Sequence, residues 1–218
     1  MYRSEHIGGT QPNDGVGFGI NIRGIAPYWR AAWQTSSKNN YLEIGTYGMH
    51  LKSTPNGVTG LMDGYTDFAA DFQYDRTIPS FNNDVLSLRG TYIRENSSLV
   101  ATLAAGGASQ ISHHLNTAQA NVEYHFGTKV SGTAGFFDVS GTSDPLLFPQ
   151  AAIAGSANGD PRSSGYILNA SWWPEQNIDL AVQYTGYFRF NGAGTNYDGA
   201  GRNASGNNAV YLIARFVF

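Results

Sequence analysis

Apolar and polar residues alternate with a period of two along most of the chain. In the clearest stretch Ile178, Leu180, Val182, Tyr184, Phe188 and Phe190 alternate with Asp179, Gln183, Thr185, Tyr187 and Arg189. A β-strand turns successive side chains to opposite faces, so this stretch predicts a strand with one greasy, aromatic face and one polar face. The same reading sets Tyr166, Leu168, Ala170 and Trp172 against Asn169, Ser171 and Trp173, and Ala118, Ala120, Val122, Tyr124 and Phe126 against Gln119, Asn121, Glu123 and His125. Upstream, Phe68, Ala70, Phe72 and Tyr74 face away from Asp67, Asp71, Gln73 and Asp75, and Leu86, Leu88 and Tyr92 away from Ser87, Arg89, Thr91 and Glu95. At the end, Leu212, Ala214, Phe216 and Phe218 oppose Tyr211, Ile213, Arg215 and Val217.

With weaker segments at Tyr28 to Gln34, Tyr41 to Met49 and Val130 to Val139, the pattern predicts about nine strands in an antiparallel meander. In the last of these the inward face is open, because Phe136 and Phe137 fall on opposite sides. No segment carries the 3.6-residue apolar stripe of an amphipathic helix. The connections alternate strictly in length. Short ones fall at Thr35 to Asn40, Gly127 to Lys129 and Pro174 to Asn177, with a medium one at Arg76 to Asp84. Long ones fall at Lys52 to Gly64, Asn96 to His114, Ser140 to Ser163 and Asn191 to Asn208.

Short turns on one rim, long polar loops on the other and strands of about ten residues with aromatics near their ends are the pattern of a transmembrane β-barrel. Hydrocarbon offers backbone groups no partner, so strands span it only as a closed ring. A soluble β-sandwich or lipocalin-like barrel also alternates, but it turns its apolar face inward and covers its outside with Lys and Glu. Composition separates the two. Charged residues are only 13% of the 218, about half the usual share, while aromatics reach 13% and Gly numbers 27. No apolar run approaches the roughly 18 residues of a spanning helix. A net charge of −3 gives no reason to expect nucleic acid. The absence of Cys excludes disulfides, thiolate metal sites, Cys nucleophiles and covalent c-type haem within these residues, and suits an oxidising compartment.

The opening MYRSEHIGGTQPNDG lacks the basic start and apolar stretch of a secretory signal. Nine antiparallel strands would also leave the first and last running the same way, whereas bacterial single-chain barrels have even strand numbers. Residues 1–25 read as a Gly-rich leader or loop, and residues 26–218 as the barrel region. One irregular strand at Val16 to Arg23 would make ten; alternatively a further strand lies upstream, and the expectation is a carboxy-terminal piece of a longer protein.

Several stretches together resemble one family: APYWRAAWQ at 26–34, YLEIGTYGM at 41–49, YTDFAADFQY at 65–74, HLNTAQANVEYHF at 114–126, and LAVQYTGYFRFNGAGTNYDGAGRNASGNNAVYLIARFVF from 180 to the end. They look like the carboxy-terminal barrel region of Gram-negative outer-membrane proteins described as porin-like or cytochrome-c-like. The resemblance implies an outer-membrane location, contact with outer-membrane lipid and lipopolysaccharide, and delivery by the barrel-assembly machinery. In that family a CxxCH haem segment can precede the barrel; it has no counterpart here, so the expectation is no cofactor within this chain, and any haem would come from a c-type cytochrome partner. The terminal Phe218 with Phe216 and Leu212 resembles the sorting signal read by the assembly machinery.

Polar residues on the inward faces would line a lumen: Glu43, Asp67, Asp71, Arg89, Glu123, His125, Asp179, Arg189 and Arg215. Both signs occur, which predicts weak ion selectivity, tilted toward cations by the acids of the third strand. The adjacent His113 and His114 would point to opposite faces, which argues against a shared metal ion. The Asn-, Asp- and Gly-rich loop Asn191 to Asn208 has the residues of tight turns and no EF-hand spacing. No GxSxG elbow, HExxH or phosphate-binding glycine loop is present. The chain therefore reads as a non-enzymatic outer-membrane β-barrel acting as a passive pore or as a sheath for an electron-transfer partner. The alternative is a soluble, secreted all-β ligand-binding or adhesin module.

Overall fold

The computed structural model describes residues 20–55, 60–79 and 83–216. It is an all-β protein in which ten strands form one antiparallel sheet. In chain order these are β1 (Ile20–Arg23), β2 (Tyr28–Ser37), β3 (Asn40–Pro55), β4 (Asp63–Ile78), β5 (Asp84–Ser98), β6 (Ser112–Phe126), β7 (Val130–Gly141), β8 (Ser163–Glu175), β9 (Ile178–Arg189) and β10 (Ala209–Phe216). One short helix, α1 (Val100–Ala104), interrupts the loop between β5 and β6. From β3 to β10 each strand pairs with the next, as the alternation predicted.

The ten strands occupy nine positions. Strand β1 pairs with Lys52 to Pro55 of β3 and β2 with Asn40 to Met49, while β4 takes the other side of β3. Thus β1 and β2 are two collinear halves of one edge, separated by residues 24–27, where Gly24 supplies a left-handed φ of 73°. The leader strand adds no tenth position. Its described part begins at Ile20, and residues 16–19 lie outside the described ones. Edge strands β2 and β10 run the same way, and among the described residues the sheet is not closed.

The faces sort as the alternation predicted. One face carries exposed large apolar side chains, among them Trp33, Ile44, Phe72, Phe136, Leu168 and Val182. Registers such as Trp33 with Ile44, Ile44 with Phe72, and Phe136 with Tyr166 put them in cross-strand rows. Aromatic rings lean over facing glycines: a Cβ on Gly90 would strike the Phe72 ring, and one on Gly186 the Tyr166 ring. The ambiguous seventh strand is resolved by register. Phe136 joins this apolar face opposite Ala120, whereas Phe137 faces the polar side and meets Tyr187 edge-on at 5.5 Å.

Strand length departs from expectation. β3 and β4 have 16 residues each, and β5 and β6 have 15. The first two long loops therefore shrink to residues 56–62 and 99–111. Beyond the apolar belt both faces of these strands are polar, so the ladder continues where the period-two contrast vanishes. The last two long loops, 142–162 and 190–208, remain long.

Candidate functional site

Ion pairs gather on the polar face. From β2, Arg30 donates to Glu43 Oε1 at 2.9 Å and to Asp71 Oδ2 at 2.5 Å. Glu43 lies on the neighbouring strand but Asp71 lies one strand further. Arg30 reaches it across Gly45, where a Cβ would stand 3.0 Å from Arg30 Nη2 and closer still to Asp71 Oδ1. Glu43 also accepts from Tyr41 Oη at 2.6 Å. Further along the same face Arg89 Nη1 donates to Glu123 Oε2 at 2.8 Å, and the other Glu123 oxygen takes His125 Nε2 at 3.0 Å and Ser131 Oγ at 3.2 Å. The Trp173 ring stacks on His125 with centroids 5.7 Å apart. At the far edge Arg215 Nη2 meets Asp179 Oδ2 at 2.7 Å.

Eight of the nine residues named from the sequence thus lie on strands with the parity of this face, and seven of them, all but Asp67, fall into the ion-paired groups around Arg30, Glu123 and Asp179. Asp67 stands apart, facing Glu95 across β4 and β5 with its Oδ1 buried and unpartnered. Arg189 lies beyond a register shift between Ser164 and Gly165, opposite Ser164. The sequence reading missed Arg30, although its alternation with Trp29 and Trp33 in YWRAAWQ was visible; it placed Asp75 and Glu95 on the polar face without choosing them. Acids outnumber arginines here: Glu43, Asp63, Asp67, Asp71, Asp75, Glu95, Glu123 and Asp179 against Arg30, Arg89 and Arg215.

Of the three terminal residues, Leu212 and Phe216 lie on the apolar face of β10, 82% and 56% exposed, opposite Val182 and Ile178. Phe218 lies outside the described residues.

The long loops fold over one rim. Asp63 at the start of β4 is buried and accepts N–H groups from Ala101 at 2.7 Å and Thr102 at 3.1 Å, capping α1 from outside the helix. Asp144, fully buried, accepts from His113 Nε2 at 2.8 Å, Ser109 N at 2.8 Å, Leu146 N at 2.9 Å and Leu147 N at 3.2 Å. Burial opposes its charge, but these donors outweigh it and hold the carboxyl well below the usual carboxylate range. Asp198 accepts N–H groups from Ile153, Ala200 and Arg202, which lower its pKa. Beside it the fully buried Tyr197 donates to Ile153 O at 2.7 Å, locking loop 190–208 onto loop 142–162. Both carboxylate oxygens of Asp144 and of Asp198 are thus occupied by donors of the chain itself.

His113 and His114 do point apart. His113 holds Asp144, and His114 Nδ1 lies 2.9 Å from Thr142 Oγ1. No group of three or more metal-binding side chains occurs among the described residues. No protein family, curated protein or solved structure matches the chain.

Proposed function

We propose that this chain forms an outer-membrane β-barrel region of a Gram-negative bacterium and acts as a passive pore with a weak cation preference. The observation that carries this reading is the inverted sheet. Its aromatic face is exposed, with Trp33, Phe188 and Leu212 at 60%, 60% and 82%, while ion pairs gather on the other. Water penalises an apolar surface of that extent, whereas lipid accepts it. The alternation of short turns and long, internally bonded loops supports the same orientation, with the loops on the outer side.

In lipid the free edges of β2 and β10 must find partners. Because these edges run in the same direction, antiparallel closure takes an odd number of further strands, from residues outside the described ones or from another polypeptide. The mechanism is exclusion by lumen width with modest electrostatics from the charged face, and no substrate is turned over. If the lumen is filled, the same barrel serves as a sheath around a c-type cytochrome partner.

The test is refolding of the 218-residue chain into detergent and lipid vesicles, followed by heat-modifiable gel migration and single-channel recording. A compact heat-sensitive band with discrete conductance steps supports the pore. A compact band without conductance favours the sheath. A soluble monomer in plain buffer would overturn the membrane reading and favour a secreted binding module.

A further inference from the structure

The polar ends of β3 to β6 carry charge of opposite sign on their two faces. On the outer, apolar-belt face the rows run, away from the belt, through Phe68–Arg94–Asn116, then His50–Thr66–Asn96–His114, then Lys52–Gly64–Ser98–Ser112. On the other face, at the same height, stand the acids Asp63, Asp67 and Glu95. The cations are thus gathered on the outside immediately beyond Phe68 and Tyr92, where a lipid headgroup would lie.

A hollow of about 540 Å³ opens there, lined by Arg94, His50, His114 and the hydroxyls of Thr66, Ser98 and Ser112. Among the described residues no Asp or Glu lines it. Arg94 is held by neutral acceptors, Asn96 Oδ1 at 3.1 Å from Nε and Asn116 Oδ1 at 3.3 Å from Nη1, and forms no ion pair among the described residues. Its orientation is set while its charge stays uncompensated, and Nη2 is left for a ligand. The acid nearest in register on this face, Asp138, lies two strands away and one row lower, roughly 10 Å off laterally. Thr142 Oγ1 accepts the His114 backbone N–H and lies 2.9 Å from His114 Nδ1, which orients the ring. His50 Nδ1 lies 2.9 Å from Thr66 Oγ1. An unneutralised guanidinium, imidazoles and hydroxyls without carboxylates are the chemistry of a phosphate site.

We propose that this hollow binds the phosphate of a phosphorylated glycolipid headgroup in the outer leaflet, with Arg94 as the principal contact and the acyl chains lying over Phe68, Tyr92 and Phe72. The proposal rests on the outer-membrane reading, and it adds a specific lipid site to a face that otherwise needs only bulk hydrocarbon. Lys52, one row beyond the His50 row, supplies a second cation at the mouth.

The experiment uses the chain refolded in detergent, with its compact heat-sensitive band confirmed first, and measures binding of lipid A, of enzymatically dephosphorylated lipid A and of inorganic phosphate by native mass spectrometry and titration. Arg94→Gln should weaken lipid A binding about tenfold, Arg94→Lys should restore part of it, and Arg76→Gln, exposed on the same face at the opposite rim, should change nothing. If Arg94→Gln does not give the compact band, Lys52→Gln and His114→Gln carry the same test. Equal binding of dephosphorylated lipid A would reduce the contact to its acyl chains and overturn the proposal. Inorganic phosphate binding as tightly as lipid A would make the hollow a free-anion site and overturn the assignment to lipid. A compact band with no lipid preference sinks the proposal alone; no compact band with a soluble monomer in buffer sinks the membrane reading with it.

Discussion

The buried carboxylate of Asp144 lies 2.8 Å from His113 Nε2, and this contact ties loop 142–162 to the start of strand β6. Three backbone N–H groups converge on the same carboxylate. Asp144→Ala leaves all of them without an acceptor, which should cost on the order of 3 kcal/mol. Limited proteolysis should then cut loop 142–162 while the strands stay intact. Asp144→Asn keeps one oxygen acceptor and should be milder.

The same carboxyl makes the loops acid-sensitive. Its folded pKa is depressed, so its contribution is complete above the unfolded value near about pH 4 and is lost as pH falls through the folded value. Proteolysis of loop 142–162 should be flat from about pH 8 to 5 and rise below about pH 4, with far-ultraviolet dichroism of the sheet unchanged. A rise already between about pH 7 and 5 would assign the sensitivity to a different group.

Gly45 provides the gap through which Arg30 reaches Asp71. Gly45→Ala should part that pair at little cost in stability, because the atoms in its way are the ends of the flexible Asp71 and Arg30 side chains. Gly132→Ala, where an added Cβ meets nothing within 4 Å and φ is not left-handed, should be neutral or slightly stabilising. Urea midpoints of the two variants in detergent make the comparison.

Leu212 and Tyr211 are neighbours on β10 that point to opposite faces. If the apolar face meets lipid, Leu212→Arg should destabilise the refolded protein by about 2–4 kcal/mol, the cost of a cation at mid-bilayer depth, whereas Tyr211→Arg should cost much less. Equal effects in vesicle refolding titrations would argue against a lipid-facing Leu212.

Arg30 offsets two of the acids on the charged face. Arg30→Gln should leave the urea midpoint nearly unchanged, because the pair is partly exposed. It should also raise the cation over anion permeability ratio, read as a shifted reversal potential in asymmetric KCl. A shift toward anions would contradict the proposed selectivity.

Much of this architecture was legible in the chain because a strand has a period of two. The alternation through Ile178 to Phe190 and Ala118 to Phe126 was enough to assign each side chain to a face, and register then carried that assignment from strand to strand. Where the period faded, so did the reading. The ends of β3 to β6 are polar on both sides, which hid about a third of each strand and with it the row holding Arg94, His50 and His114.

Sequence alone determined the meander, the two classes of connection and the polar face bearing Glu43, Asp71, Arg89 and Glu123, since each follows from local alternation and turn chemistry. Tertiary structure decided what depends on pairing across many residues. It made β1 and β2 one edge, carried Arg30 past its neighbour Glu43 to Asp71 across a glycine, and buried Asp144 against a histidine 31 positions away. Such contacts are set by register and loop closure, and a one-dimensional pattern records neither.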